Sequence, residues 1–261
     1  MELSVGGERV FASTGGLPFD PGRPGAVFLH GAGMDHSVWS LPARYFAGHG
    51  RAVLALDLPG HGRSAGKPLA SIEAMAGWVL AVVEAAGLER TALVGHSMGA
   101  LVALAAAARA GDRVDGIALL GVAAAMPVHP DLLAAARAND PKAIDLIASW
   151  AHGSVGHVGG NKAPGLWTMG GGIRLLERAA PGVLAADLAA CADYKGARDA
   201  AGAFKGCALL VLGADDRMTP PKAAKPLAER LAGAATVTIP DTGHMMMTER
   251  PNETIAALKR L

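Results

Sequence analysis

Thr91-Ala92-Leu93-Val94-Gly95-His96-Ser97-Met98-Gly99-Ala100-Leu101-Val102-Ala103-Leu104 is the stretch on which the reading of this chain turns. A short apolar run enters a Gly-x-Ser-x-Gly turn and leaves it as a long run of Ala, Leu and Val. The first run suits a strand covered on both faces, and the second suits a helix buried all round. Strand, sharp turn and helix form the setting in which this pentapeptide has chemical meaning. Glycine on either side lets neighbouring backbone pass close. The serine oxygen then stands at the positive end of the helix, where a developing negative charge is favoured. In a chain with 35 glycines the pentapeptide alone is a weak signal. Its context gives it weight.

Working outward, further apolar runs of four to seven residues recur: Ala26–His30, Ala52–Leu56, Gly116–Val122, Ala208–Leu212 and Thr236–Ile239. They do not alternate polar with apolar, so each is expected as a strand of a parallel sheet. Leu3–Val5 and Arg9–Phe11, joined through Gly6-Gly7, read as a hairpin. Helical patterns lie between the runs. Ser71 to Ala86 puts Ile72, Met75, Val79, Val82 and Val83 on one stripe, with Ser71 as N-cap and Glu73 in the first turn. Ser97 to Ala110 is a buried helix, Thr219-Pro220 reads as an N-cap and a first helical Pro, and Pro251 to Leu261 closes the chain. The fold class is therefore α/β, a mostly parallel central sheet of about eight strands with helices on both faces.

From about Ala123 to Ala203 the rhythm breaks. No strand run appears there, and helical patches fall near 131–139, 141–150, 173–179 and 181–194 around a glycine-rich loop, 151–160. We expect residues 1–122 and 204–261 to form the core and 123–203 to be a helical insertion.

Composition narrows the function classes. The chain has 261 residues, 51% of them hydrophobic, with Lys+Arg 24 against Asp+Glu 23 and a formal charge of +1. That excludes disorder for the bulk of the chain. It also gives nucleic-acid binding no electrostatic basis. The N-terminus lacks the apolar core of a signal peptide, and His96, Ser97 and two glycines interrupt the most apolar stretch, so no membrane segment is expected. Cys191 and Cys207 are expected as two buried thiols. A cytoplasmic location follows as the default. A homodimer stays open.

The chain resembles the α/β-hydrolase superfamily, and the likeness spans nearly its whole length. His30-Gly31-Ala32-Gly33 follows the first long strand as the family's oxyanion loop does. Asp57-Leu58-Pro59-Gly60-His61-Gly62-Arg63-Ser64 looks like the loop after the next strand. Gly95–Gly99 resembles the nucleophile elbow. Gly213-Ala214-Asp215-Asp216 is similar to the acid loop, and Gly243-His244 follows the last strand. Within the superfamily the chain is most similar to capped serine hydrolases such as carboxylesterases, enol-lactonases and cofactor-free haloperoxidases. The resemblance implies a triad of Ser97, Asp216 and His244 in the chain order of this fold. A hydroxyl is a poor nucleophile near neutral pH, so His244 takes its proton and Asp216 holds the imidazole tautomer. The family's spacing prefers Asp216 to its neighbour Asp215. Ala32 and Met98 are expected to supply the backbone N–H groups of an oxyanion hole. His30 and His96, which flank these positions, are expected as structural hydrogen-bonders.

By the same resemblance, residues 123–203 form a cap over the site. Trp150, Trp167, Met169, Met218 and Met245 are expected to line an apolar pocket. The glycines from Gly153 to Gly172 suggest a lid that moves. No cofactor and no metal is expected; His152 and His157 lack a third ligand at familiar spacing. The expected substrate is a small to medium carboxylic ester, or a lactone or thioester, cleaved through an acyl-enzyme. Two alternatives are carried. One is C–C bond hydrolysis or haloperoxidase-like perhydrolysis on the same triad. The other is a ligand-binding receptor with vestigial hydrolysis.

Overall fold

A computed structural model of the chain describes residues 1–159 and 166–261. Eight strands form one sheet: β1 (Glu2–Val5), β2 (Glu8–Ser13), β3 (Gly25–Leu29), β4 (Ala52–Leu56), β5 (Thr91–His96), β6 (Val114–Leu120), β7 (Cys207–Gly213) and β8 (Ala235–Ile239). Their spatial order is β1-β2-β4-β3-β5-β6-β7-β8. The β1–β2 and β2–β4 pairs are antiparallel. Every pair from β4 to β8 is parallel. The expected α/β class and strand count therefore hold.

The described helices are α1 (Ser40–Gly48), α2 (Ile72–Ala85), α3 (Met98–Ala107), α4 (Pro130–Arg137), α5 (Lys142–Ala151), α6 (Ser154–His157), α7 (Thr168–Glu177), α8 (Val183–Asp193), α9 (Ala197–Ala203), α10 (Lys225–Ala228), α11 (Met246–Glu249) and α12 (Pro251–Leu258). Short 3-10 turns precede α1, β6 and α10. Helices α4 to α9 all lie between β6 and β7, in the stretch read as an insertion. No described helix is long and apolar enough to cross a membrane.

The central strands β3, β4 and β5 are buried along their whole length because each of their faces meets a different core. Val27, Leu29, Leu54, Leu56 and Leu93 pack with α2 and α3. The intervening Ala26, Phe28, Val53, Ala55 and Val94 pack with Trp39, α1 and α12. A period of two is thus present in the contacts but hidden in the composition. All ten residues of α3 are buried, as its unbroken Ala/Leu/Val sequence demands. Ser71 caps α2 by accepting from the Ala74 amide. One expectation fails: Cys191 is buried, but Cys207, at the exposed start of β7, is not, and neither is in a disulfide.

Candidate active site

The turn after β5 is built on two close approaches. A Cβ on Gly95 would lie 2.1 Å from the Gly99 carbonyl oxygen, and one on Gly99 would lie 2.3 Å from that of Leu29. Only hydrogen fits at either position. Between them Ser97 has φ 54° and ψ −118°, in the left-handed half of the map that non-glycine residues rarely enter. Its amide donates to Leu120 O at 2.9 Å, which ties the strained residue to β6. Met98 opens α3, so the positive end of a ten-residue helix sits at the serine.

Ser97 and His244 line one cleft of about 320 Å³. His244 Nδ1 donates to Asp216 Oδ2 at 2.7 Å, and both side chains are almost wholly buried. The Thr219 hydroxyl also donates to Oδ2 at 2.8 Å, while the amides of Met218 and Thr219 donate to Oδ1 at 2.9 and 2.8 Å. Burial alone would raise the Asp216 pKa. The imidazole and these donors outweigh it, and the carboxyl titrates below its ordinary value. Asp215 is half-buried, and its amide donates to Thr242 O. The neighbouring Asp216 is therefore the carboxylate that meets the imidazole. His244 Nε2 is buried with no hydrogen-bond partner among the described residues. Ser97 and this nitrogen share the cleft without a hydrogen bond between them. The amides of Ala32 and Met98 likewise have no partner among the described residues.

His30 and His96 hold backbone. Leu58 N donates to His30 Nε2 at 3.1 Å, so the His30 proton is on Nδ1 and goes to Gly31 O at 2.9 Å. Burial and the neighbouring His61 lower the His30 pKa to about 4. His96 Nε2 donates to His244 O at 3.0 Å, and burial holds His96 well below the usual histidine range. Asp57 accepts from the His36 amide, His36 Nδ1 and the Arg63 amide, which braces the loop after β4.

The cleft wall is mainly apolar: Met34, Met126, Val128, Leu132, Ile147 and Leu188 line it, with Trp150, Cys191 and Met218. Of the five residues expected as walls, Trp150 and Met218 are there. Met245 is not; it follows His244 but is 2% exposed and packs in the sheet core. Trp167 is 55% exposed, and Met169 lies beside it at the start of α7; neither lines the cleft. Gly160 and Gly165, part of the expected lid loop, fall outside the described residues. Sequence reasoning missed Asp187, a fully buried carboxylate on α8 that accepts from the Gly33 amide and from His61. The available signal was a charge among Leu184, Leu188 and Cys191 on an otherwise apolar helix face.

Residues 26–258 match the model of the alpha/beta hydrolase family, and the chain belongs to that family. A dihydrolipoyllysine-residue acetyltransferase component of an acetoin cleaving system from Cupriavidus necator is 40% identical over 121 residues, 44% of this chain and 30% of that protein. A 2-succinyl-6-hydroxy-2,4-cyclohexadiene-1-carboxylate synthase from Salmonella paratyphi B is 34% identical over 105 residues, 40% of this chain and 41% of that one. The chain thus matches less than half the length of either relative. Among solved structures, the enol-lactonase of Burkholderia xenovorans LB400 superimposes with a TM-score of 0.87 at 23% identity, covering 100% of this chain and 98% of that one. A thermophilic esterase of Thermogutta terrifontis gives 0.84 at 22% identity, covering 100% and 96%. At these identities the likeness is one of fold.

Proposed function

We propose that the protein is a serine hydrolase that cleaves small to medium carboxylic esters, lactones or thioesters through an acyl-enzyme on Ser97, His244 and Asp216. One observation carries the reading. A strained serine, the His244 imidazole, whose buried nitrogen has no partner among the described residues, and Ala32 line a single, mainly apolar cleft, and the unpartnered Met98 amide opens the helix that follows the serine. An unpaired buried nitrogen costs stability, and a site that uses it as a base gives that cost a purpose.

In this mechanism Ser97 Oγ attacks the acyl carbon while Nε2 of His244 takes the hydroxyl proton. The carbonyl oxygen becomes an oxyanion and accepts from the Ala32 and Met98 amides, each worth ~3 kcal/mol in the transition state. The tetrahedral intermediate collapses, and the leaving alcohol or thiol departs with the proton from Nε2. Water then attacks the acyl-enzyme and gives its proton to Nε2. Collapse releases the acid, and the proton returns to Ser97. Throughout, Asp216 keeps a proton on Nδ1 and stabilises the imidazolium. Residues 123–203 act as a cap, a reading supported by Leu132 on α4, Ile147 on α5 and Leu188 on α8, which give the cleft its apolar wall. That wall suits an aliphatic acyl chain of a few carbons.

The test is labelling with a fluorophosphonate together with a burst assay on p-nitrophenyl esters. Modification confined to Ser97, with a burst of one equivalent, is the expected result. A folded protein that neither labels nor turns over any ester, lactone or thioester would overturn the reading.

A further inference from the structure

We propose that Asp187, on cap helix α8, is a positioning residue for the oxyanion hole: with His61 it clamps the Gly33 amide and so fixes the turn that presents the Ala32 N–H. The inference rests on the hydrolase reading above.

The turn is Gly31-Ala32-Gly33-Met34, closed by the Met34 amide donating to Gly31 O at 3.2 Å. Gly33 has φ +68° and Ala32 has negative φ, the pattern of a type II turn. Such a turn converts to type I by flipping its central peptide, the one that carries the Gly33 N–H. That N–H donates to Asp187 Oδ2 at 2.8 Å, across 154 residues of sequence. While the bond holds, the peptide cannot flip. The turn is held at its other end as well, because His30 Nδ1 donates to Gly31 O at 2.9 Å.

Helix α8 reaches the turn with more than its carboxylate. A Cβ on Gly33 would lie 2.9 Å from Leu184 Cδ1, and Leu184 stands one helical turn before Asp187. Leu188, the next residue, lines the cleft. One helix face therefore touches the turn, holds its amide and forms part of the substrate wall.

Asp187 is an unfavourable residue for packing alone. It is wholly buried, and Oδ1 has no hydrogen-bond partner among the described residues. An apolar side chain of similar volume would avoid that desolvation cost. His61 supplies the countercharge, with Nε2 at 2.8 Å from Oδ2. Nδ1 of the same ring lies 3.0 Å from Pro59 O, so both nitrogens face acceptors, and both bonds form only when the ring is protonated. Burial would lower the His61 pKa, but the Asp187 carboxylate outweighs it and raises it.

The experiment compares Asp187→Ala and Asp187→Asn with the wild type, after confirming cooperative thermal unfolding of each. An asparagine oxygen still accepts from the Gly33 amide, so Asp187→Asn is the conservative rescue. Three readouts are taken: kcat and KM on p-nitrophenyl acetate, inhibition by an aryl trifluoromethyl ketone whose adduct places an oxyanion in the hole, and hydrogen exchange of the 30–36 backbone. Asp187→Ala should lose about 100-fold in kcat with KM within twofold, as for a catalytic group displaced by about 1 Å. It should lose trifluoromethyl ketone affinity by a similar factor and exchange the turn amides faster. Asp187→Asn should recover most of each loss. Wild-type kcat in Asp187→Ala, or a kcat loss with unchanged ketone affinity and unchanged exchange, overturns the proposal. A wild type that turns over no ester sinks the hydrolase reading instead. Hydrogen exchange then still decides whether Asp187 holds the turn.

Discussion

Replacing Asp216 with Asn tests the triad most sharply, because the surrounding donors decide how the amide sits. Oδ1 accepts from two main-chain amides, at 2.9 and 2.8 Å. In Asp216→Asn only the side-chain oxygen can meet them, so the NH₂ group falls where Oδ2 was, against His244 Nδ1. Turning the amide over would set NH₂ against two buried N–H donors, at about 1–3 kcal/mol for each donor left unmet. The NH₂ therefore donates to Nδ1, and the imidazole carries its proton on Nε2, where it cannot accept one from Ser97. Loss of the productive tautomer costs about 10⁴-fold in kcat in a comparable site, or ~5.5 kcal/mol of barrier. KM should stay within a few-fold, since Asp216 does not line the cleft. Steady-state hydrolysis of p-nitrophenyl butyrate and the rate of fluorophosphonate labelling give the two measures, with Asp215→Asn as control. An Asp216→Asn enzyme within tenfold of wild type, or an Asp215→Asn enzyme equally impaired, would refute the argument.

Three further outcomes are expected. Gly99→Ala brings a Cβ to 2.3 Å from Leu29 O and 2.6 Å from His30 O, backbone that cannot swing aside; it should lower stability in urea by about 3 kcal/mol, the upper end for overpacking, and reduce kcat through the loop after His30. His30 titrates at about 4 when folded against 6.5 ordinarily, so the unfolded chain takes up that proton first and stability falls as pH drops from 6.5 towards 4; urea midpoints at pH 7 and pH 5 should lie closer together in His30→Gln than in wild type, and an unchanged gap would show that His30 is not responsible. Arg217 lies at the exposed rim of a cleft whose described lining holds no Asp or Glu; Arg217→Gln should raise KM two- to fivefold for a dicarboxylate monoester, the scale of an exposed ion pair, and leave a neutral ester of equal length unchanged.

The sheet was legible because its central strands are covered on both sides, so that each writes an unbroken apolar run bounded by turn residues. The serine turn was legible because steric need leaves only glycine at 95 and 99. Short elements without a wide apolar face were not. Helix α1 begins Ser40-Leu41-Pro42 and α9 is seven residues of mostly Ala and Gly, and neither carries a clear helical pattern in the sequence. A threonine before proline suits an N-cap, and the sequence predicts one at Thr219. Instead Pro220 precedes the short turn, and the Thr219 hydroxyl serves Asp216. The pocket was legible least. Selecting walls by side-chain chemistry picked Trp167 and Met245. Residency in the cleft is set by which face of a helix meets it, and that selects Leu132, Ile147 and Leu188.

What local pattern cannot show is how the segment between β6 and β7 holds the loops it covers. Ser97 is fixed by the sheet itself, through β5 and its amide bond to Leu120. The loop after β8 is tied to β5 by His96 Nε2 donating to His244 O, and the loops after β3 and β8 are both held further by the inserted helices. Ala151 O, at the end of α5, accepts from the His244 and Met245 amides at 2.7 and 3.2 Å. The buried Glu249 carboxylate accepts from Gly153 N at 2.9 Å and from Gly243 N at 3.1 Å, joining the same two stretches again. Asp187 performs the matching task on the Gly33 amide. Ser97 is thus positioned by short-range geometry, while His244 and the turn at Ala32 are also held by contacts to the inserted helices. On the proposed mechanism a displacement of about 1 Å costs about 100-fold in rate, so the seat of those helices contributes to the alignment of His244 and the Ala32 amide with Ser97.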